Sequence, residues 1–195
     1  IYDRLVGSEM CIRDSDKSYK NTTMSYKQRL AHITTFAFDV DGVLTDGSII
    51  LESSGEMVRT MHTKDGYALQ HAIKKGFNIV IITGGNSTMV KKRLEGLGIQ
   101  DVFLSAHHKL PILRSYLGQK NIDPKNVLYM GDDIPDFECL NSVGISTCPR
   151  DSAVEIRETC DYISHIDGGK GAVRDVIEQV LRVQGKWMDE DAHKW

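Results

Sequence analysis

The chain has 195 residues, 41% of them hydrophobic and 26% charged, with 24 Lys+Arg against 27 Asp+Glu for a formal net charge of -3. Such a composition suits one sizeable globular core, and its even balance excludes both the basic footprint of a nucleic-acid binder and a solvated acidic tail. The longest apolar run, Phe77 to Thr83, falls far short of the roughly 20 residues that a membrane-crossing helix needs, so no membrane partner is expected.

Residues 1–23 carry neither a helical nor a strand period and lack the apolar stretch of a secretory signal. LVGSEMCIRDS within them resembles translated adapter sequence, and Met24 opens a plausible native start, so 1–23 are set aside as a non-native or disordered extension. From Thr34 onward, short runs rich in β-branched residues alternate with segments of helical period. Strands are predicted at Thr34–Val40, Phe77–Thr83, Asp101–Leu104, Val127–Gly131 and Gly144–Thr147, with a weaker one at Tyr162–Ser164. Helices are predicted at Asp65–Lys75, Ser87–Leu97, Lys109–Gln119, Ile134–Ser142, Ser152–Thr159 and Ala172–Val183. The pattern predicts an α/β fold, a doubly wound and mainly parallel sheet with helices on both faces, forming one domain over residues 24–187.

One insertion interrupts the alternation. Ser48–Leu51 and Glu56–Met61 flank the polar turn Glu52-Ser53-Ser54-Gly55, which predicts a β-hairpin flap over residues 48–61. Residues 188–195 are polar and predicted to fray. The four cysteines, Cys11, Cys139, Cys148 and Cys160, form no C-x-x-C pair and are too few to staple this chain, so buried thiols in a reducing, cytoplasmic compartment are expected.

The chemistry concentrates at strand ends. Asp39-Val40-Asp41-Gly42 follows the first strand at its carboxyl end, where open α/β sheets bind ligands. Two carboxylates one residue apart can enter one crevice while glycine lets the backbone approach an anion. A solvated Asp-Gly turn would explain that segment alone equally well. A second acidic segment, Gly131-Asp132-Asp133-Ile134-Pro135-Asp136, emerges on the same sheet edge, and so many converging carboxylates call for a hard cation such as Mg²⁺. Helix-start acids would explain Asp133 or Asp136, but not Asp132 on a strand end. Thr83-Gly84-Gly85 ends the most apolar strand, where a hydroxyl and exposed N–H groups can cradle phosphate. Lys109 opens a helix, an electrostatically poor place for a cation unless it neutralises an anion. The adjacent His107 and His108 diverge in a loop and are not expected to bind a transition metal together.

In order, D-x-D-G, T-G, Lys and G-D-D-x-x-D resemble the four motifs of the haloacid dehalogenase (HAD) superfamily of phosphohydrolases. The resemblance narrows, through D-G-V-L-T-D-G at Asp41–Gly47, K-D-G-Y at Lys64–Tyr67 and G-G-K-G-A-V-R at Gly168–Arg174, to capless phosphatases of 3-deoxy-D-manno-octulosonate (KDO) 8-phosphate. It implies that Asp39 is the nucleophile and Asp41 the general acid and base, and that Thr83, Gly84 and Lys109 hold the phosphate. It further implies that Asp39, Asp41 (through its main-chain oxygen) and Asp132 bind Mg²⁺, with Asp133 and Asp136 orienting ligands. His62, Lys64, Lys170 and Arg174 become candidate contacts for a sugar-acid phosphate. In that family the hairpin replaces a cap domain and reaches a neighbouring subunit, which implies a homotetramer. Exposed β-edges bearing Ile49, Ile50, Leu51 and Val58 give self-association a physical motive as well.

Two positions depart from the family pattern, which usually has Arg where this chain has Gly85 and Lys170. Arg can grip a carboxylate bidentately and neither replacement can, so a nonulosonate 9-phosphate is a second candidate substrate. A catalytically idle oligomerisation module of the same fold is the alternative from another class, opposed by the intact Asp39 and Asp41. A receiver domain would carry its phosphate-accepting Asp on the middle strand, yet Asn78–Ile82 has no acid. A phosphoglycosyl mutase would need a cap to exclude water.

Overall fold

The computed structural model describes residues 24–190, 192 and 193; the set-aside segment 1–23 and Cys11 lie outside them. Five parallel pairings build a six-stranded sheet from β1 (Thr35–Phe38), β4 (Asn78–Ile82), β5 (Asp101–Phe103), β6 (Val127–Met130), β7 (Ile145–Cys148) and β8 (Tyr162–Ile163), in the order β5-β4-β1-β6-β7-β8. β1 lies mid-sheet between β4 and β6, so the ends of these three strands lie side by side where the order reverses.

Strand alternation sends side chains into two apolar layers. Phe36 and Phe38, Ile79 and Ile81, and Leu128 and Met130 face α1 (Tyr26–Leu30), α2 (Thr63–Lys74), α3 (Thr88–Gly96) and α7 (Ala172–Val183). Ala37, Val80, Ile82, Val127 and Tyr129 face α4 (Lys109–Lys120), α5 (Phe137–Ser142) and α6 (Val154–Thr159). Burial on both faces explains why these strands read as continuous apolar runs.

Several boundaries differ from expectation for local reasons. α1 forms because Ser25 and Gln28 make a reciprocal capping box, a four-residue signal the sequence carries without a long periodic run behind it. The predicted Ile134–Ser142 helix splits into a 3₁₀ turn, Ile134–Asp136, and α5, with Pro135 in the first turn and no N–H to donate there. The flap contracts to two-residue strands, β2 (Ile50–Leu51) and β3 (Met57–Val58), around Gly55 at φ 85°. The tail expected to fray is tied down at two points: Asp189 pairs with Lys75 at 2.5 Å, and the Ala192 carbonyl accepts from the Tyr67 hydroxyl. Among the described residues no helix is long and apolar enough to cross a membrane.

Asp65 ties α2 to the start of α7, accepting the Arg174 N–H at 2.7 Å. Burial pushes its carboxyl up to about 6, against the pull of the Arg174 amide. A folded-state value above the unfolded one means that this site's stabilisation is complete below about pH 4 and is lost as pH rises through 6. Asp65→Asn, which keeps the accepting oxygen, is therefore expected to raise the melting temperature at pH 8 by roughly 5 °C and to change it little at pH 4. Thermal melts at the two pH values check this; an equal shift at both would contradict it.

Candidate active site

Asp39 leaves β1 with its N–H bonded to the Met130 carbonyl, so the two strand ends are locked together where both acidic segments begin. Its Oδ1 accepts the Val40 N–H at 2.7 Å and its Oδ2 faces Lys109 Nζ at 2.8 Å. The turn that follows is tight: Val43, Leu44 and Thr45 all direct N–H groups at the Val40 carbonyl. Gly42 sits at φ 81°, and a Cβ there would collide with the Asp132 carboxylate. Glycine is required at this position by both backbone conformation and the approach of the second acidic segment.

Lys109 is the hub. Its Nζ lies 2.8 Å from both Asp39 Oδ2 and Asp136 Oδ1, and the residue is only 5% exposed. Burial works against its charge, but the flanking carboxylates of Asp39 and Asp136 outweigh burial and hold its pKa above the ordinary lysine value. Asp136 is fully buried: Oδ1 also accepts the Tyr129 hydroxyl at 2.6 Å, and Oδ2 takes the Asp132 N–H at 3.3 Å. Its lone pairs are thus committed to holding Lys109 and shaping the Asp132 loop.

The carboxylates strain against one another. Burial, then repulsion from Asp136, raises Asp39 to about 7 despite Lys109. Burial, then Asp39 and Asp136, raises Asp132 to about 8. Carboxylate oxygens of Asp39, Asp132 and Asp136 all come within 4.8 Å of one another. Three carboxylates share one ammonium, so full ionisation would leave an excess of two negative charges in a partly dry site, and the raised values of Asp39 and Asp132 reflect that cost. A divalent cation fits that deficit, and donors that are all oxygen suit a hard ion.

The cluster opens into a cavity of about 450 Å³ lined by Asp39, Asp41, Thr83, Gly84, Gly85, His107, Lys109, Asp132 and Asp133, among others. Of the residues predicted for catalysis, phosphate and metal, all converge on this cavity. Thr83 is buried and its Oγ1 accepts the Gly85 N–H at 3.1 Å, which leaves the hydroxyl proton free to donate. His107 lines the cavity, while His108, at the N-cap position of α4, does not.

The Asp41 side chain turns away from the acidic cluster. Arg59, beyond the hairpin, grips it with Nε 2.6 Å from Oδ1 and Nη2 3.1 Å from Oδ2. Nothing in the periodicity around Arg59 signals this pairing, and the Tyr129 hydroxyl is hidden in a strand that reads as apolar. The four candidate substrate contacts lie outside the cavity wall. Lys170 pairs with Asp46 at 3.3 Å, Lys64 is exposed, and His62 precedes α2 with Nδ1 4.0 Å from Asp65. Arg174 is engaged elsewhere: its guanidinium stacks 5.1 Å from the Trp187 ring and pairs with Glu178 at 3.3 Å.

No family model matches the chain. It is 36% identical over 159 residues to the 3-deoxy-D-manno-octulosonate 8-phosphate phosphatase KdsC of Salmonella typhi, covering 82% of this chain and 84% of that protein, and matches KdsC of Escherichia coli K12 with the same identity and coverage. The crystal structure of the Moraxella catarrhalis 3-deoxy-D-manno-octulosonate 8-phosphate phosphatase, in complex with magnesium, phosphate and KDO, superposes with a TM-score of 0.79 at 36% identity over 82% of this chain and 91% of that one. The Yersinia pestis enzyme superposes with a TM-score of 0.80 at 32% identity, over 82% and 86% of the two chains. A hydrolase of the HAD superfamily from Legionella pneumophila shares the fold with a TM-score of 0.80 at 28% identity, over 82% and 88% of the two chains. Sequence and fold agree: the chain is a phosphatase and belongs to the 3-deoxy-D-manno-octulosonate 8-phosphate phosphatase family of HAD hydrolases.

Proposed function

We propose that the enzyme hydrolyses KDO 8-phosphate to KDO and phosphate, with Mg²⁺ as cofactor, through an acyl phosphate on Asp39. The observation that carries this reading is the group of three carboxylates, buried Asp39 and Asp136 and half-buried Asp132, gathered with Lys109 at the floor of the cavity. The KdsC relatives and the complex with magnesium, phosphate and KDO support the substrate and the metal. Mg²⁺, held by Asp39, Asp132 and the Asp41 main-chain oxygen, would supply positive charge to offset the repulsion between an anionic nucleophile and an anionic phosphate.

The chain's own groups do the rest. Lys109 and Thr83 hold the phosphate, and Lys109 fixes the Asp39 carboxylate for attack on phosphorus. Asp41 gives a proton to the leaving sugar oxygen, so the alcohol departs neutral as the aspartyl-phosphate forms. Asp41 then takes a proton from a water molecule that attacks phosphorus and displaces the Asp39 carboxylate, so phosphate is released and Asp39 is restored. Asp133 lies at the cavity rim, and Asp136 keeps Lys109 in position.

Phosphate release from KDO 8-phosphate, a nonulosonate 9-phosphate and neutral sugar phosphates tests the assignment. KDO 8-phosphate is expected to give the highest kcat/KM, and chelation of divalent ions is expected to lower turnover about 100-fold or more. Preference for another ester would overturn the substrate, and unchanged turnover after exhaustive chelation would overturn the metal.

We also infer a cytoplasmic homotetramer in which each hairpin helps wall a neighbour's site. Ile50 and Leu51 are 58% and 78% exposed on a two-stranded element that is marginal alone in water, which supports a covering partner. Sedimentation velocity is expected to show a tetramer; a fully active monomer would contradict it.

A further inference from the structure

Arg59 is an unusual partner for a residue that must exchange protons with substrate. Both of its fork positions are spent on Asp41, occupying both carboxylate oxygens. The two partners are unequally placed: the Arg59 side chain is 6% exposed and the Asp41 side chain 33%. Asp41 can exchange its partner for water or a leaving oxygen, whereas Arg59 would keep only the bond from Nη1 to the Met57 carbonyl, at 2.9 Å, and would lack a counter-charge unless another anion replaced the carboxylate.

Arg59 is open to such an anion from the groove under the hairpin, which it lines. The catalytic cavity shares Asp41, Thr83 and Gly85 with a narrow slot, and that slot shares Arg59 and Ser87 with a groove of about 290 Å³ under the hairpin. Gly85 stands at the passage: a Cβ there would lie 3.4 Å from Asp41 Oδ2 and 3.5 Å from Arg59 Nη2. The slot itself holds no room for a water-sized group, so the end of a substrate remote from its phosphate meets the guanidinium there only once Asp41 gives up the fork and the slot opens. The groove adds Asn86 and Ser87 as uncharged polar lining.

We propose that Arg59 determines specificity for phosphate esters that carry a carboxylate: the substrate's acid group takes over the Arg59 fork and thereby frees Asp41 to act on the leaving oxygen. Exchange of one carboxylate for another keeps the buried guanidinium paired at every stage. A neutral ester brings no replacement, so releasing Asp41 strands the Arg59 charge. Loss of one charged pairing of this kind corresponds to a factor of about 10 to 100.

The proposal rests on the phosphomonoesterase reading and deepens its substrate class. Its test uses a matched pair, 6-phosphogluconate and sorbitol 6-phosphate, which differ only in a carboxylate against a hydroxymethyl group. With the full-length enzyme and Mg²⁺, the acid is expected to exceed the alcohol in kcat/KM by about 10- to 100-fold. In Arg59→Gln the ratio is expected to fall to within about threefold, as KM for the acid rises and kcat for the alcohol increases. Arg59→Lys, which retains charge but offers a point contact, should give an intermediate ratio. Equal losses for both esters in Arg59→Gln, a wild-type ratio in Arg59→Lys, or no preference in the wild-type enzyme would each overturn the proposal. If KDO 8-phosphate resists hydrolysis, the substrate assignment fails separately. The matched pair still reports on Arg59, as relative inhibition of p-nitrophenyl phosphate hydrolysis if neither member is cleaved.

Discussion

Asp39→Asn is expected to lower kcat by roughly four orders of magnitude or more while the protein stays folded. An amide cannot form the acyl phosphate, and two of the neighbouring acids are already engaged: Asp136 is fully buried and bonded to Lys109 and Tyr129, and Asp41 is gripped by Arg59. The fold should tolerate the exchange because volume is nearly preserved and Asn can still accept the Val40 N–H. One oxygen facing Lys109 is lost, which costs stability, but removal of a charge relieves the repulsion that, after burial, helps to raise Asp132. The two effects oppose, so the melting temperature without added metal should stay within a few degrees of wild type. Single-turnover assays and thermal melts on the same preparation decide the matter; turnover within tenfold of wild type would eliminate Asp39 as nucleophile.

The acidic floor is legible in the sequence because its parts sit at fixed offsets from apolar strands. Asp39, Thr83 and Asp132 each follow a run of buried residues, and a parallel sheet delivers the carboxyl ends of β1, β4 and β6 to one edge. Lys109 is legible as a cation placed where a helix start disfavours one. Arg59 is different: its bond to Asp41 spans 18 residues and arises from the return path of the hairpin, which follows no period. The Asp136 role is equally hidden, since only tertiary placement of the Tyr129 hydroxyl and Lys109 shows which carboxylate organises the site. Arg174 lies in a glycine-rich segment that suggests a ligand contact, yet the Trp187 ring lies beneath its guanidinium. Packing between α7 and the chain beyond it claims that arginine, and no local pattern announces such a contact.

Lys109→Met should damage stability and activity together, and pH separates the two causes. The methionine fills most of the lysine's volume but leaves Asp39 and Asp136 buried without the ammonium 2.8 Å from each. Removing one partner of a buried ionic group typically costs about 3–5 kcal/mol, which for a chain of this size lowers the melting temperature by roughly 10 °C. That loss must depend on pH. Asp39 and Asp132 already hold protons more tightly in the folded state, at about 7 and about 8, than an unfolded aspartate does. Loss of Lys109, which lowers both, raises them further, so the native variant binds excess protons, is least affected near pH 5, and loses stability as pH climbs past 8. Asp136→Asn in the same background removes the second stranded charge and should recover part of the melting temperature at pH 8 without restoring phosphate binding, because the cation that meets the phosphate is still missing. Equal melting of Lys109→Met and wild type at pH 8 would show that Lys109 does not neutralise the cluster, and recovery of activity along with stability in the double variant would show that its role is structural alone.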